Sequence, residues 1–176
     1  LLLLISFSIH FVNLLNLKFV RLNIKSLINN MLFYPNAKIN LGLNIVEKRL
    51  DGYHDLETVF YPIGLCDVLE IEPSVGCTDY SFSSSGIMLD GDPENNLIIK
   101  AYRRLQIEFD IPPVDITLVK QIPFGAGLGG GSADAAFTLK ALNEMFTLKI
   151  STRRLDKIAS ELGADCPVVF KNNPVY

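Results

Sequence analysis

The feature that most constrains this 176-residue chain is a glycine-rich segment placed between a predicted strand and a predicted helix. The segment covers residues 123–133, Pro-Phe-Gly-Ala-Gly-Leu-Gly-Gly-Gly-Ser-Ala, and five of these residues are glycine. Alternating residues 114–120 predict the strand before it, and residues 134–146 predict the helix after it. Glycines let backbone N–H groups approach a ligand closely, and the first N–H groups of a helix have no helical partner. The segment therefore predicts an anion site, for which a phosphate chain is the natural ligand.

The spacing of the glycines distinguishes between classes of phosphate-binding loop. A Walker loop ends in Gly-Lys-Ser/Thr, whereas this loop ends in Gly-Gly-Ser-Ala. Gly125, Gly127 and Gly130 match the dinucleotide fingerprint, but that fingerprint needs a second strand with an acid roughly twenty residues on. Glu144 lies near that distance, inside a predicted helix. A protein-kinase loop needs a strand after it, whereas a helix is predicted here, so that class does not fit either. A flexible turn, or a tight packing of strand on helix, is the alternative to a phosphate site.

The composition favours a globular protein in a reducing, cytoplasmic compartment. Hydrophobic residues make up 49% of the chain and charged residues 20%, which is enough apolar surface for a core. The formal net charge of −3 gives no indication of nucleic acid as the partner. Cys66, Cys77 and Cys166 form no C-x-x-C pair, so they favour a reducing compartment over a disulfide framework or a zinc site. We expect Cys166 to be a small buried apolar group.

Periodicity and turn signals predict an α+β fold from residue 31 onward. The order is several strands, a helix, a strand, two helices and a final extended segment at residues 167–170, which is not a regular βαβ repeat. Asn95 is the predicted N-cap of a helix over residues 96–109, and Ser151 caps the last helix, which Gly163 ends. The predicted strands are residues 32–34, 39–46, 56–63, 67–72, 80–84 and 114–120.

The two ends of the chain differ from its middle. Residues 1–30 are mostly Leu, Ile, Asn, Phe and Val with no acidic residue, and Met31 begins a segment of different character. We expect residues 1–30 to be a non-native leader and residues 31–176 to form the domain. A membrane anchor is the alternative, but polar residues interrupt the apolar run before the roughly 18 residues that a span needs. Because residues 168–175 end within a predicted strand region, we also expect a truncation on the C-terminal side.

Two charged residues outside the loop are candidates for chemistry. Lys38 lies at the entry to an apolar strand, where a lysine is most often a solvated edge charge. Asp165 lies on the predicted turn between a helix and a strand, where an aspartate is most often a turn or capping residue. Together with a phosphate-binding loop, they supply what phosphoryl transfer needs. Backbone and cations hold the phosphate charge, and a carboxylate accepts or orients the proton of the attacking hydroxyl.

A tyrosine–histidine pair follows a turn signal between the predicted strands at residues 39–46 and 56–63. Tyr53 and His54 come after Asp-Gly and offer an aromatic ring and an imidazole for stacking on a base and for bonding its edge. The alternative is a turn whose tyrosine packs on the rim of the core. His10 lies in the expected leader, so His54 is the one histidine of the expected domain. This excludes a His-rich metal site.

Five motifs together resemble the GHMP kinases, the superfamily of galactokinase, homoserine kinase, mevalonate kinase and phosphomevalonate kinase. The glycine-rich loop with the Asp-Ala-Ala that follows it resembles the second, phosphate-binding motif of that superfamily. The other four resemble most closely the members that act on a diphosphocytidyl methylerythritol, and they arrive in the family's order. They are Pro35-Asn-Ala-Lys-Ile-Asn-Leu, Asp51-Gly-Tyr-His, Asp92-Pro-Glu-Asn-Asn-Leu and Leu162-Gly-Ala-Asp-Cys-Pro-Val.

This resemblance implies a GHMP-kinase N-terminal domain, with a ribosomal-protein-like two-layer fold, in an ATP-dependent small-molecule kinase. ATP, accompanied by Mg²⁺, would phosphorylate the 2-hydroxyl of 4-diphosphocytidyl-2-C-methyl-D-erythritol in non-mevalonate isoprenoid biosynthesis. Lys38 and Asp165 would be the catalytic pair, Asn40 would lie near the erythritol, and Tyr53 and His54 would recognise the cytidine. No protein-only cage for magnesium is evident in the sequence. The ATP phosphates would be held by Pro123, Phe124, Gly125, Ala126, Gly127, Leu128, Gly129, Gly130, Gly131, Ser132 and Ala133.

The resemblance covers residues 31–170 and leaves the family's C-terminal half, with its third glycine-rich motif, without a counterpart. We therefore expect these 176 residues alone to be inactive or unstable. A GHMP-type kinase of another alcohol is one alternative. A non-catalytic nucleotide-binding module, or a dinucleotide-dependent oxidoreductase, is another.

Overall fold

The structure is a computed structural model that describes residues 31–48, 52, 54–89, 91–163, 165–171 and 173–174. The predictions for residues 1–30 and for Tyr53 lie outside the described residues. None of the helices in the described part is long and apolar enough to cross a membrane.

Six strands form two sheets in the described part of the chain. They are β1 Met31–Phe33, β2 Asn36–Lys48, β3 His54–Cys66, β4 Val68–Pro73, β5 Tyr80–Gly86 and β6 Val114–Lys120. Four of them make a mixed sheet in the order β1-β4-β6-β5, in which β5 runs parallel to β6 and the other pairs are antiparallel. The long strands β2 and β3 pair only with each other, as an antiparallel hairpin in which Lys48 lies opposite His54. The alternation of apolar and polar residues predicted all six strands.

The described residues also contain four α-helices, of which the first lies between β5 and β6 and the other three follow β6. They are α1 Leu97–Gln106, α2 Gly130–Met145, α3 Thr152–Leu162 and α4 Cys166–Lys171. The side chain of Asn96 caps α1 by accepting from the N–H of Ile98 at 2.9 Å, so the cap is one residue later than the predicted Asn95. Ser151 caps α3 as predicted, and Gly163 follows its last turn.

The core lies between the four-stranded sheet and the helices. Leu69 and Ile71 of β4 and the inward residues of β6 meet apolar residues of α1, α2 and α3. Burial of one large aliphatic side chain stabilises the fold by about 1.5–3 kcal/mol. This packing fixes the ends of β6 and the start of α2, between which the glycine-rich loop lies. Cys166 belongs to the same core and is fully buried, as predicted.

The prediction of extended structure at residues 167–170 was wrong, because they belong to α4. Pro167 lies in the first turn of α4, where a missing N–H and a fixed φ suit a helix. The N–H of Val169 donates to the carbonyl of Asp165 at 3.2 Å, which closes that turn. Asp165 therefore lies between two helices and not between a helix and a strand.

Candidate active site

The glycine-rich loop takes a backbone path that only glycine adopts easily. Gly125, Gly127 and Gly129 have φ of 67°, 72° and 70°, in the left-handed region. Helix α2 begins at Gly130, four residues before the predicted start at Asp134. The last glycines of the loop are thus the first turn of the helix.

The first turn of α2 presents unpaired backbone donors. The N–H of Ala133 donates to the carbonyl of Gly129 at 2.9 Å and is the start of the helical hydrogen-bond ladder. The N–H groups of residues 130–132 precede that ladder and have no helical acceptor. No side chain caps this end, and Gly129 occupies the cap position with φ 70° and ψ 15°. Such a terminus attracts anions through its N–H groups and through the helix dipole.

Lys38 reaches the loop from the start of β2. Its backbone N–H donates to the carbonyl of Leu128 at 2.9 Å, which fastens the strand to the loop. Its ammonium donates to Oδ1 of Asn40 at 2.8 Å and lies 5.0 Å from the centroid of the Phe60 ring. The side chain is only 9% exposed. Lys38 is therefore not the solvated edge charge that its position in the sequence alone would suggest.

Asp165 meets Lys38 from the opposite end of the sequence. Its Oδ2 lies 3.3 Å from Nζ of Lys38, and its side chain is 36% exposed. A Cβ added to Gly129 would lie 3.1 Å from Cε of Lys38 and 3.7 Å from Oδ2 of Asp165. The lysine, the carboxylate and the cap of α2 thus share one location. The sequence predicts Lys38, Asp165 and the glycine loop as functional residues, and the structure brings them together.

A buried charge cluster under the loop was missed by the sequence analysis. Lys120, the last residue of β6, is 1% exposed and pairs with both Asp67 and Asp134. Its position was indicated by the alternation of β6, because Val114, Ile116, Leu118 and Lys120 are the buried residues of that strand. The two aspartates could not be found in this way.

The start of the loop borders a cavity of about 290 Å³. Phe124, the second residue of the loop, lines it together with Phe82 and Ser84 of β5. The opposite wall includes Asp92 and Asn96, on either side of a short 3₁₀ turn at Pro93–Asn95. Its lining combines apolar side chains with a similar number of polar ones, so it offers both a surface for an aromatic ring and hydrogen-bonding groups.

Of the residues predicted to contact substrate, Asn40 lies beside Lys38, whereas His54 lies far from it. Asn40 lies in the site, because it accepts a hydrogen bond from Lys38. His54 is exposed at the start of β3, whereas Lys38 pairs with Pro62 of the same strand. Those eight residues of strand correspond to roughly 26 Å, so the structure does not bring His54 to Lys38 and Asp165.

The described residues do not fit a protein-only magnesium cage. Within them, no group of three or more His, Cys, Asp and Glu side chains is arranged to hold a metal ion. Magnesium that accompanies a nucleotide keeps several waters and binds mainly through phosphate oxygens.

Comparison with known proteins agrees with this geometry. Residues 96–171 match the family described as the GHMP kinases N terminal domain. The chain is 57% identical over 147 residues to the 4-diphosphocytidyl-2-C-methyl-D-erythritol kinase of Bacteroides fragilis, covering 83% of this chain and 54% of that protein. It is 54% identical over 146 residues to the enzyme of that name from Parabacteroides distasonis, covering 83% and 53%. The chain spans about half the length of the curated relatives it matches.

Solved structures give the same result for the fold. A crystal structure of 4-(cytidine 5'-diphospho)-2C-methyl-D-erythritol kinase aligns with a TM-score of 0.63 at 36% identity, covering 82% of this chain and 50% of that one. Mevalonate pyrophosphate decarboxylase from Streptococcus pyogenes aligns with a TM-score of 0.61 over 81% of this chain and 46% of that one; at 16% identity, it shows the fold alone. The predicted α+β fold is confirmed: residues 96–171 form part of a GHMP kinase N-terminal domain, and the chain is similar to the 4-diphosphocytidyl-2-C-methyl-D-erythritol kinases over about half of their length.

Proposed function

We propose that this chain supplies the ATP-binding and catalytic residues of a kinase in isoprenoid precursor biosynthesis. The reaction is transfer of the γ-phosphate of ATP to the 2-hydroxyl of 4-diphosphocytidyl-2-C-methyl-D-erythritol. The names of the relatives support the substrate. The observation that carries the chemistry is the meeting of Lys38, Asp165 and the N-cap Gly129 at one point.

The loop orients the nucleotide between two parts of the site. The adenine occupies the cavity beside Phe124, and the phosphates follow the backbone from Gly125 to Gly129. The free N–H groups at the start of α2 hold the terminal phosphates. Because the loop begins at the cavity and ends at Asp165, this direction places the γ-phosphate next to the carboxylate.

Asp165 and Lys38 have different roles in the transfer. The carboxylate of Asp165 is open enough to receive an alcohol and accepts the proton of its 2-hydroxyl. The hydroxyl oxygen then forms a bond to the γ-phosphorus as the bond between that phosphorus and the β–γ bridging oxygen breaks, releasing ADP. The ammonium of Lys38 stabilises the charge on the transferred group and holds Asp165 in place, while Asn40 orients Lys38. Mg²⁺ bound to the ATP phosphates would neutralise further charge there.

Two finer assignments belong to this proposal. Tyr53 and His54 recognise the cytidine, which requires the exposed end of the hairpin to approach the loop. The bulges between residues 41 and 43 and between 45 and 47 are where the hairpin can bend. The protein acts in the cytoplasm, in keeping with the free thiols of its three cysteines in the described structure.

Turnover is the test of this proposal. Because the chain spans about half of its relatives' length, we would assay it alone and as a fusion to the C-terminal half of the Bacteroides fragilis enzyme. We expect ATP-dependent phosphorylation of the cytidyl alcohol only by the fusion. Asp165→Asn should lower kcat about 10²–10⁴-fold, the usual loss for a general base. The exposed Asp110→Asn serves as the matched control and should not lower it.

The outcomes separate the alternatives. Unchanged turnover in Asp165→Asn would reject the role of Asp165. Phosphorylation of alcohols without the cytidyl group at equal kcat/KM would indicate a kinase of another alcohol. ATP binding without transfer by the fusion, or tight binding of a nicotinamide cofactor, would indicate a non-catalytic module or an oxidoreductase.

A further inference from the structure

The buried cluster of Lys120, Asp67 and Asp134 joins three parts of the site. Asp67 accepts from the backbone N–H groups of Gln121 and Ile122, which lead into the glycine loop, at 2.6 and 2.8 Å. Lys120 bonds Asp134 of α2 at 2.8 Å.

The cluster also reaches the strand that carries the catalytic lysine. The backbone N–H of Asp67 donates to the carbonyl of Pro35, just before β2, at 2.9 Å. The chain segments before the loop, after the loop and before Lys38 are therefore tied to one another through Asp67 and Lys120.

The cluster lies directly against the anion-binding turn. A Cβ added to Gly130, the first residue of α2, would lie 3.0 Å from Nζ of Lys120 and 2.7 Å from Cγ2 of Ile122. The carboxylate of Asp134 is therefore at most roughly 11 Å from a phosphate bound by the N–H of Gly130, which is the length reached if this separation, the 2.8 Å between Lys120 and Asp134, the covalent span from Cβ to N and a hydrogen bond of about 3 Å lie end to end.

The charges in the cluster do not cancel when both aspartates are ionised. One ammonium faces two carboxylates, which leaves one negative charge in a buried place. Oδ1 of Asp134 has no hydrogen-bond partner among the described residues, so the ionised form is poorly solvated. Burial accordingly raises the pKa of Asp134 to about 7.

We infer that Lys120, Asp67 and Asp134 position the glycine loop and that ionisation of Asp134 weakens its binding of a triphosphate. This inference rests on the proposed function, because it takes the loop to be the triphosphate site. Protonated, Asp134 leaves the cluster neutral beneath the anion. Ionised, it adds a negative charge there. The charged groups that face Asp134 are Lys120 of β6 and Asp67 between β3 and β4, while Lys38 and Asp165 adjoin the preceding turn residue, Gly129.

The test measures binding of inorganic triphosphate to the 176-residue chain by calorimetry between pH 6 and pH 8.5. Asp134→Asn keeps the shape and an acceptor for Lys120 but cannot ionise. The exposed Asp110→Asn removes one charge far from the cluster in sequence and is the matched control. The three proteins are compared at each pH, so the titration of the ligand itself cancels.

We expect the three proteins to bind equally at pH 6. At pH 8.5, Asp134→Asn should bind at least about threefold more tightly than the unmodified chain, which is the effect of one charge at this distance when the effective dielectric constant lies between about 20, as near a protein surface, and about 80, as in water. Asp110→Asn should follow the unmodified chain throughout.

The possible failures are distinguishable. Absence of triphosphate binding by the unmodified chain at every pH would overturn the proposed function together with this inference. Binding with parallel pH profiles in all three proteins would overturn only the inference.

A second measurement covers the case in which Asp134→Asn does not fold. Carbon NMR of the aspartate carboxyls in the unmodified chain should reveal one that titrates near neutral pH. Since coupling between two binding events is reciprocal, its midpoint should rise when triphosphate is added. An unchanged midpoint would overturn the inference.

Discussion

Gly129→Ala tests most directly whether the cap of α2 acts as one unit with Lys38 and Asp165, the proposed catalytic pair. Gly129 has φ 70°, a conformation that costs an alanine about 1–2 kcal/mol. The added Cβ would also lie 3.1 and 3.2 Å from Cε and Cγ of Lys38. These atoms belong to a flexible side chain that can give way by a few tenths of an ångström, so the contact adds little to the loss of stability. The contact should instead displace the side chain of Lys38 and so disturb its 3.3 Å ion pair with Asp165.

The loss of stability should therefore equal the backbone strain alone. For a unit of about this size, about 1–2 kcal/mol lowers Tm by about 2–8 °C. Gly42→Ala is the matched control, because Gly42 has φ 69° and no atom within 4 Å of an added Cβ. Thermal unfolding of the two variants should give similar losses of Tm.

Activity should separate the two variants. In the fusion used for turnover, Gly129→Ala should lower kcat by about tenfold or more, since misplacement of a catalytic group by a fraction of an ångström to one ångström is costly. At saturating cytidyl alcohol, Gly42→Ala should retain the kcat of the unmodified fusion, because a change in the bend of the hairpin would affect substrate binding and so appear in KM. Equal kcat in the two variants would refute the reasoning that Gly129 sets the position of Lys38, whatever happens to Tm.

Three further substitutions test other parts of the structure. Asn96→Ala removes the cap of α1 and should cost about 1 kcal/mol in urea unfolding, whereas Asn95→Ala should cost less. Leu139→Ala opens a cavity at a fully buried site and should cost about 2–5 kcal/mol. Burial raises the pKa of Asp134 in the folded chain from 3.8 to about 7. Between these pH values the folded chain keeps a proton on Asp134 that the unfolded chain has released. The free energy of unfolding should therefore fall as pH rises from about 4 to about 7 and level off above that. Urea unfolding at a series of pH values should show this decrease in the unmodified chain and not in Asp134→Asn.

The strands could be predicted because their signal is local. Residues 114–118 alternate strictly between apolar and polar, and the structure has β6 at Val114–Lys120. Continuing this period puts Lys120 on the inward face, where its burial has to be explained by its partners, because buried lysines are rare. Those partners, Asp67 and Asp134, come from another strand connection and from a helix, so no periodicity links them to Lys120.

Two of the errors in the helices arose where tertiary packing overrides propensity. Gly130 and Gly131 are poor helix formers, which placed the predicted start of α2 too late. In the fold they form the first turn of α2, and position 130 requires glycine because an added Cβ would lie 2.7 Å from Cγ2 of Ile122. The apolar run Pro167–Phe170 is too short for its periodicity to separate a strand from a helix, and packing against α2 and α3 decides for the helix.

The site depends on the fold because its parts are held by contacts between residues far apart in sequence. Lys38 is fastened to the loop through the carbonyl of Leu128 and forms an ion pair with Asp165. The loop itself is held from below by Asp67. In a free peptide with the same glycines, conformational entropy would favour many other backbone conformations over the left-handed ones that the site needs. The anion site therefore exists only where β6 and α2 are already packed, and this links the stability of the core to the geometry of the reaction.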